Sequence, residues 1–555
     1  MKTLRFIALI LVLCTFATLL LACNREENLD TSTSGTTSGT TASSSSSNNS
    51  NSGDNNTEND GENNNQQPST PNVDTSKLAE SVNIKNYNGK RFDEKYIDLG
   101  QGSYMNIVKK TTPEEFKEFK ANLEADGLVL YTSNKIGDNE FYTYISKKQI
   151  VNVMFLVYDY DERDSDYPTV TSVDHNEVRV IEDDPSMFSL PLLKEDNVYT
   201  ADSTVEPKLI MLSDDAISWP GRMGYLYQLA DGSFFIIDGG YWGAGSDPDS
   251  PKPTSKTSMS HTVMEVMKAH APDPNNIVVA GWLFTHIHSD HIGAFLDIST
   301  QAKYKDIVTI EQIIYNMPSD EEVLGQDDNP ERLLKWMRLF DKAVGVFQEQ
   351  QKNTNTPLRL IKAHAGQKFF FRDLTMTIYT SQDNLLYSTN VNTGNNLESI
   401  DWHNNTSILS VVEYQGTKAL YLGDTHVLAN KLVNNPLYRN NLDCDILQVA
   451  HHGYSDTAAY HVYKHLTSDL KMVLWPDCKQ HFDGKNIDGS IYSEDKVNNT
   501  PYGGVWDVKF SGTSYTNKQY LDKEGVTQVY LKDNTCAVIT DFKNLNSFKM
   551  VDYVK

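Results

Sequence analysis

At 555 residues the chain is longer than one ordinary core organises, so two or more domains are expected. Its 74 Asp and Glu against 49 Lys and Arg give a formal charge of −25. An acidic surface repels polyphosphate backbones, which disfavours long nucleic acid as a substrate without closing off a local basic groove. Tyrosine is abundant at 29 residues, which suits β-structure.

In chain order, Met1-Lys2-Thr3-Leu4-Arg5 is a short basic segment that leads into the apolar run from Phe6 to Leu21 and ends at Ala22-Cys23. This is the pattern of an export signal, and the run is short for a membrane-spanning helix. The Leu20-Leu21-Ala22-Cys23 ending resembles the bacterial lipoprotein signal. That resemblance implies residues 1–23 as a cleaved signal, lipidation of Cys23, and an extracytoplasmic protein anchored to the bacterial cell membrane. Residues 24–80 are dominated by Ser, Thr, Asn and Gly, including Ser43 to Ser47. Such a segment has little to bury against the entropy of ordering, so a disordered tether is expected. Cys444, Cys478 and Cys536 form an odd, sparse set that implies no disulfide framework, though one pair among them stays open.

Residues 81–205 read as a small α+β domain of unassigned role. Thr112-Pro113-Glu114-Glu115 starts a helix with a Thr cap, Pro in the first turn and Glu115 set for a capping box. Phe116, Phe119 and Leu123 then share a face, and Gly127 is a stop. Strands are predicted at Leu128–Thr132, Phe141–Ser146, Ile150–Tyr158 and Val178–Ile181. Asp159, Asp161, Glu162 and Asp164 read as a solvated hairpin tip in preference to a calcium site.

From 206 to 555 strands alternate with helices. Strands are predicted at Lys208–Leu212, Gly224–Leu229, Ser233–Ile237, Ile277–Phe284, Lys368–Phe371, Ile408–Glu413, Thr417–Leu422, Asp445–Val449, Met472–Trp475 and Gln528–Leu531. Helices are predicted at His261–His270 and Asn329–Gln350. The alternation fits a layered α/β sandwich.

The segment Thr285-His286-Ile287-His288-Ser289-Asp290-His291-Ile292-Gly293 carries the chemistry. Three His and one Asp fall within six residues of a chain holding 14 His in all, directly after an apolar strand. Imidazole and carboxylate are the usual ligands of Zn²⁺ and related divalent ions. In a sharp loop, two imidazoles can face one ion while the Asp and third His face its neighbour.

This run resembles the HxHxDH signature of the metallo-β-lactamase superfamily, and further pieces follow the family order. Ser233 to Gly240 resembles the strand ending in Asp-Gly. Leu420-Tyr421-Leu422-Gly423-Asp424 resembles the strand ending in Gly-Asp, and Ile446 to Gly453 the closing His-His-Gly segment. The resemblance implies a four-layer αββα sandwich over 206–555. It assigns His286 and His288 to a first metal, with Asp290, His291 and one of His451 or His452 on a second, and Asp424 bridging. Sequence leaves the choice between His451 and His452 open, so both are candidate ligands. Asp290 and His452 are also the candidate catalytic groups, and Asp238 supports the ligand loops by hydrogen bonds.

Many members supply one more His to the first metal, for which His364 and His403 are the candidates. His364 reads as a structural turn residue. His403-Asn404-Asn405-Thr406-Ser407 resembles instead the Asn-x-x-Ser strand entry of the hydrolase domain in bacterial DNA-uptake channels, and bacterial phosphorylcholine esterases are similar. His403 and Asn404 are therefore assigned to the surround of the ligands. The implied cofactor is two divalent ions, Zn²⁺ in preference to Mn²⁺, with a single ion as the alternative.

Such ions lower the pKa of a bound water from about 15.7 towards ~7 and so supply hydroxide. The expectation is hydrolysis of a phosphodiester or phosphoric ester, with His426 as a candidate helper at the leaving group. The alternatives are a carbon-ester, thioester or lactam hydrolase on the same site, and a surface binding protein with a vestigial site. Expected partners are a small-molecule or cell-envelope ester and the membrane. Trp219 and Trp242 are expected to pack, with a cation-binding wall as the alternative.

Overall fold

The computed structural model describes residues 78–157, 176–213, 223–241, 259–326, 330–385, 402–426, 441–453, 459–466, 469–478, 520–532 and 535–553. The signal, Cys23, most of the tether, the acidic run from Asp159 to Asp164, Trp219 and Trp242 all lie outside these residues. No helix among the described residues is long and apolar enough to cross a membrane.

Six strands open the described chain: β1 (Glu94–Asp98), β2 (Tyr104–Lys109), β3 (Val129–Ile136), β4 (Asn139–Ile145), β5 (Ile150–Leu156) and β6 (Glu177–Asp183). They form one sheet in the order β1-β2-β6-β5-β4-β3, antiparallel throughout. Helix α1 (Pro113–Ala125) covers one face. Thr112 and Glu115 make the reciprocal capping box, and Phe116, Phe119 and Leu123 are the buried stripe. They pack on Val151, Val153, Val178 and Val180, the side chains of alternate strand positions.

Two sheets form the larger part. The first contains β7 (Lys208–Met211), β8 (Gly224–Gln228), β9 (Phe234–Asp238), β10 (Ile277–Leu283), β11 (Val308–Ile310), β12 (Gln312–Tyr315) and β13 (Arg359–Lys362). The second contains β14 (Lys368–Phe371), β15 (Leu374–Thr380), β16 (Leu409–Tyr414), β17 (Thr417–Tyr421), β18 (Ile446–Gln448), β19 (Met472–Cys478) and β20 (Thr527–Leu531). The terminal strands β21 (Cys536–Ile539) and β22 (Lys549–Val551) return to the first sheet, whose order is β13-β12-β10-β9-β8-β7-β21-β22 with β11 beside β10. The second sheet runs in sequence order from β14 to β20.

An apolar layer fills the space between the two sheets, with Tyr225, Phe235 and Leu283 from one and Phe371, Met376 and Val412 from the other. Helices α2 (Met259–His270), α3 (Ser289–Thr300), α4 (Ala302–Lys305), α5 (Asp320–Gln326) and α6 (Pro330–Gln351) follow strands of the first sheet. Of these, α2, α3 and α6 bury their apolar stripes on its outer face. Short helices α7 (Gln382–Leu385), α8 (Trp402–Asn405) and α9 (Tyr460–Tyr463) belong to the second half, and Val462 and Tyr463 join the apolar cover of its sheet. The expected αββα sandwich is thus the observed fold. Cys444, Cys478 and Cys536 are all buried and unbridged.

The amino-terminal sheet does not stand apart. Its second face, with Leu99, Met105, Ile107, Phe141, Met154 and Ile181, belongs to the same continuous core as the sandwich residues Tyr315 and Met317. Asn134 Nδ2 donates to Gly366 O at 3.0 Å, and Ser189 N to Leu360 O at 2.7 Å. At this seam Gly366 has φ +82°, and a Cβ there would overlap the Phe141 ring. Gly366→Ala is therefore expected to destabilise the protein by on the order of 1–3 kcal/mol through overpacking and backbone strain. Denaturant unfolding at equilibrium checks this, and an unchanged midpoint would contradict the packing described.

Candidate metal centre

The carboxyl ends of parallel β9 and β10 meet the loops after β17 and β18 at one pocket. Asp238 ends β9 with φ 55°, in the left-handed region that side chains other than Gly rarely adopt. Its buried carboxylate accepts from Thr285 N and Thr285 Oγ1, both at 2.8 Å, and from His291 Nδ1 at 2.8 Å. His288 is the N-cap residue of α3, so Asp290 and His291 fall in the first helical turn. A carboxylate is favoured there by the helix dipole.

Opposite them, Gly423 has φ +56°, and a Cβ would meet Thr285 Cβ at 3.0 Å and Ser407 Cβ at 3.1 Å. Only glycine lets the Gly-Asp loop approach this closely. Gln448 knits that loop to the next: its Oε1 accepts from Leu422 N and Gly423 N, both at 2.7 Å, and its Nε2 donates to Gly423 O at 3.0 Å. Then His451 (φ 43°, ψ 57°) and His452 (φ 54°, ψ 12°) turn the chain through two successive left-handed residues. Asp238, His451 and His452 are three of the nine positive-φ residues other than Gly among those described. Strain of order 1–3 kcal/mol per residue is thus concentrated at this pocket.

The side chains converge in two sets that share one residue. Asp290, His291, Asp424 and His452 offer ligand atoms all within 4.8 Å of one another, and so do His286, His288 and Asp424. His291 Nε2 lies 3.0 Å, His452 Nε2 3.3 Å and His286 Nε2 3.8 Å from Asp424 Oδ2. His452 Nε2 is also 3.2 Å from Asp290 Oδ2. Among the described residues, the buried His286 Nε2 and Asp424 Oδ1 have no hydrogen-bond partner. Leaving such atoms unsatisfied costs about 1–3 kcal/mol each, and a divalent cation between the two sets would satisfy both. The donor set of imidazoles and carboxylates fits such an ion.

Geometry separates the paired histidines. His452 belongs to the second set, whereas His451 Nε2 is 4.0 Å from Asp424 Oδ2 and accepts from Asn404 Nδ2 at 3.2 Å. The Asn404 motif thus orients His451 beside the ligands. The buried His426 ring stands 5.7 Å from that of His451, centroid to centroid. His403 is buried with its ring 5.6 Å from that of His288, beside the first set, while His364 lies elsewhere, bound to Asp183 and Asp383.

Two contributors were not marked in the sequence. Gln448 reads there as one polar residue in a strand. Arg332, in the first turn of α6, reads as the solvated face of an amphipathic helix, yet its positive charge reaches both His288 and His403.

The electrostatics of the pocket follow from burial and carboxylates. Burial holds His286 well below the usual imidazole range, helped by the neighbouring His291 and His288. Burial likewise pushes His403 down to about 2, with His288 and Arg332 adding to it. At His291, burial is outweighed by Asp424, Asp238 and Asp290, which together hold the imidazolium well above its usual range. His452 is pushed up to about 10, again with Asp424 and Asp290 overcoming burial. Asp424 sits well below the usual carboxylate range because His291, His452 and His451 overcome its burial.

Residues 222–459 match the family model of the Metallo-beta-lactamase superfamily. No curated protein matches. Similar solved structures include the metallo-beta-lactamase fold protein YhfI from Bacillus subtilis, at 12% identity and TM-score 0.27 over 48% of this chain and 85% of that one. CmlA, a diiron beta-hydroxylase from Streptomyces venezuelae, matches at 12% identity and TM-score 0.29 over 61% of this chain and 55% of that one. A putative Zn-dependent hydrolase from Thermotoga maritima matches at 13% identity and TM-score 0.19 over 48% and 74%.

Because Asp424 and its neighbouring carboxylates favour a proton on His291 and His452, a metal must compete with protons there. Calorimetric titration with Zn²⁺ at neutral pH, in buffers of different ionisation enthalpy, is expected to show release of roughly two protons when the second set fills. Affinity therefore falls as pH falls, and uptake without proton release would contradict these protonation states.

Proposed function

On the premise that residues 222–459 are a metallo-beta-lactamase superfamily domain, we propose that this protein is an extracytoplasmic, metal-dependent hydrolase of phosphodiesters or phosphoric esters. The observation that carries the hydrolase reading is the sharing of buried Asp424 by two sets of ligand atoms. His286 and His288 would hold one ion, Asp290, His291 and His452 the other, and Asp424 both. Bound there, two divalent ions would acidify a water and clamp the attacking and leaving oxygens of an in-line displacement.

The chain's own residues supply orientation. Asp238 accepts from His291 Nδ1 and so turns Nε2 towards Asp424. Ser407 Oγ accepts from Asp424 N at 3.1 Å and lies 3.3 Å from His286 Nδ1, fixing both residues from behind. Asn404 steadies His451 beside the ligands, where the imidazole can meet an oxygen of the substrate. Arg332 supports the choice of a phosphoric ester over a neutral one, since its charge is felt by His288 and His403 at the pocket. A guanidinium pairs well with phosphate oxygens. The signal-like residues 1–23 support the location.

A substrate panel tests this reading: a chromogenic phosphodiester, a phosphorylcholine ester, a thioester and a cephalosporin, each with Zn²⁺ or Mn²⁺. Turnover of a phosphoric ester is expected, with His288→Ala lowering kcat/KM by on the order of 10²-fold or more. Arg332→Ala is expected to raise KM for the anionic ester by roughly tenfold. Thioester or cephalosporin turnover alone would move the reaction class, and phosphodiester turnover untouched by His288→Ala would remove the site.

A further inference from the structure

His364 follows β13, is fully buried, and plays no part in the pocket described above. Its Nδ1 lies 2.6 Å from Asp383 Oδ2 on α7, and its Nε2 2.9 Å from Asp183 Oδ2 at the end of β6. A neutral imidazole has one N–H and could donate to only one of these carboxylates; the other contact would oppose two lone pairs. Two short contacts to two ionised carboxylates therefore call for the imidazolium.

Both carboxylates are fixed in turn. Asp383 Oδ2 accepts from Asn316 Nδ2 at 2.9 Å and Ser381 Oγ at 3.0 Å. Asp183 accepts from Ser103 Oγ at 2.5 Å and Asn152 Nδ2 at 2.9 Å. Alongside, the buried Lys362 donates to Leu99 O at 2.7 Å and Gly100 O at 2.9 Å, in the β1–β2 turn. Glu322 of α5 and Asp98 of β1 are the other charged groups bearing on this network.

Parallel pairing puts the carboxyl ends of β9, β10, β12 and β13 on one sheet edge. Asp238 ends β9, the His286 loop follows β10, Asn316 follows β12 and His364 follows β13. Asn316 Nδ2 also donates to Ala363 O at 2.8 Å, which ties the last two ends together. We propose that His364 is a positioning residue, an imidazolium pin that fastens the amino-terminal sheet to the edge carrying the metal-site loops and lets go when it loses its proton. The amino-terminal sheet is then a built-in part of the enzyme's frame, fastened by charge as well as by shared core.

The direction of the pH effect follows. Burial lowers the His364 pKa, but Asp183 and Asp383 overcome it and raise it from 6.5 to about 9. Its stabilisation is fully present below the unfolded value of 6.5 and is lost as pH rises through about 9. Lys362, which burial pulls down, would lose charge in the same direction, so variants are needed to separate the two.

Thermal unfolding of the full chain between about pH 6 and 10.5 is the test, with His364→Gln and Asp183→Asn beside the unmodified protein. The unmodified protein should lose stability steadily from about pH 6.5 and level off near pH 9. His364→Gln should be less stable near pH 6, with its gap to the unmodified protein closing as pH rises to about 9. Asp183→Asn should bring the upper end of that fall down by about one pH unit, a roughly tenfold weaker hold on the proton. A flat profile in the unmodified protein, a His364→Gln variant of unchanged stability near pH 6, or an unmoved upper end in Asp183→Asn would each overturn the pin. Should His364→Gln fail to fold, the other two proteins decide. The readout is unfolding and not turnover, so its failure would leave the hydrolase reading standing.

Discussion

Four imidazole nitrogens, from His286, His291, His451 and His452, come within 4.0 Å of one carboxylate oxygen of Asp424. A buried anion among imidazoles is tolerable only if some of them carry protons or a cation lies between. The carboxylates favour a proton on His291 and His452, whereas burial favours the neutral form of His286. Metal would replace those protons. Much of the surrounding structure serves to hold this one geometry against the repulsion of Asp290, Asp238 and Asp424 in a small volume.

That service comes from backbone as much as from side chains. The left-handed Asp238, His451 and His452, together with Gly423, bring four loop ends to within bonding distance. Gln448 and Ser407 then lock the loops to one another through main-chain groups. Beneath them, a dry apolar layer between two sheets keeps the strand ends in register. The amino-terminal sheet extends the frame on the far side, through Lys362 and the His364 pair of carboxylates.

The sequence was most legible where chemistry and local rules coincide. The Thr112–Glu115 capping box and the stripe of Phe116, Phe119 and Leu123 form as their spacing predicts. His286 to His291, Asp424 and His452 meet in space, although up to 166 positions apart, because each follows or ends a strand of a sandwich that the motif order anticipates. Other features were hidden. β1 escaped because a register shift between Glu94 and Ile97 breaks the two-residue period. The four-residue runs Gln312–Tyr315 and Arg359–Lys362 are too short for periodicity to separate strand from helix. The choice of His452 over His451 depends on two left-handed backbones, and the joining of the amino-terminal sheet to the sandwich on contacts such as Asp183 with His364, 181 residues apart. Neither leaves a local signature.

Metal stoichiometry tests the central role of Asp424 most directly. Elemental analysis of the purified protein after loading with Zn²⁺ should find about two ions per chain, and Asp424→Asn should lose both, since each set of ligands depends on the same carboxylate. Loss of one ion with full retention of the other, or an unmodified protein that binds none, would contradict the shared centre.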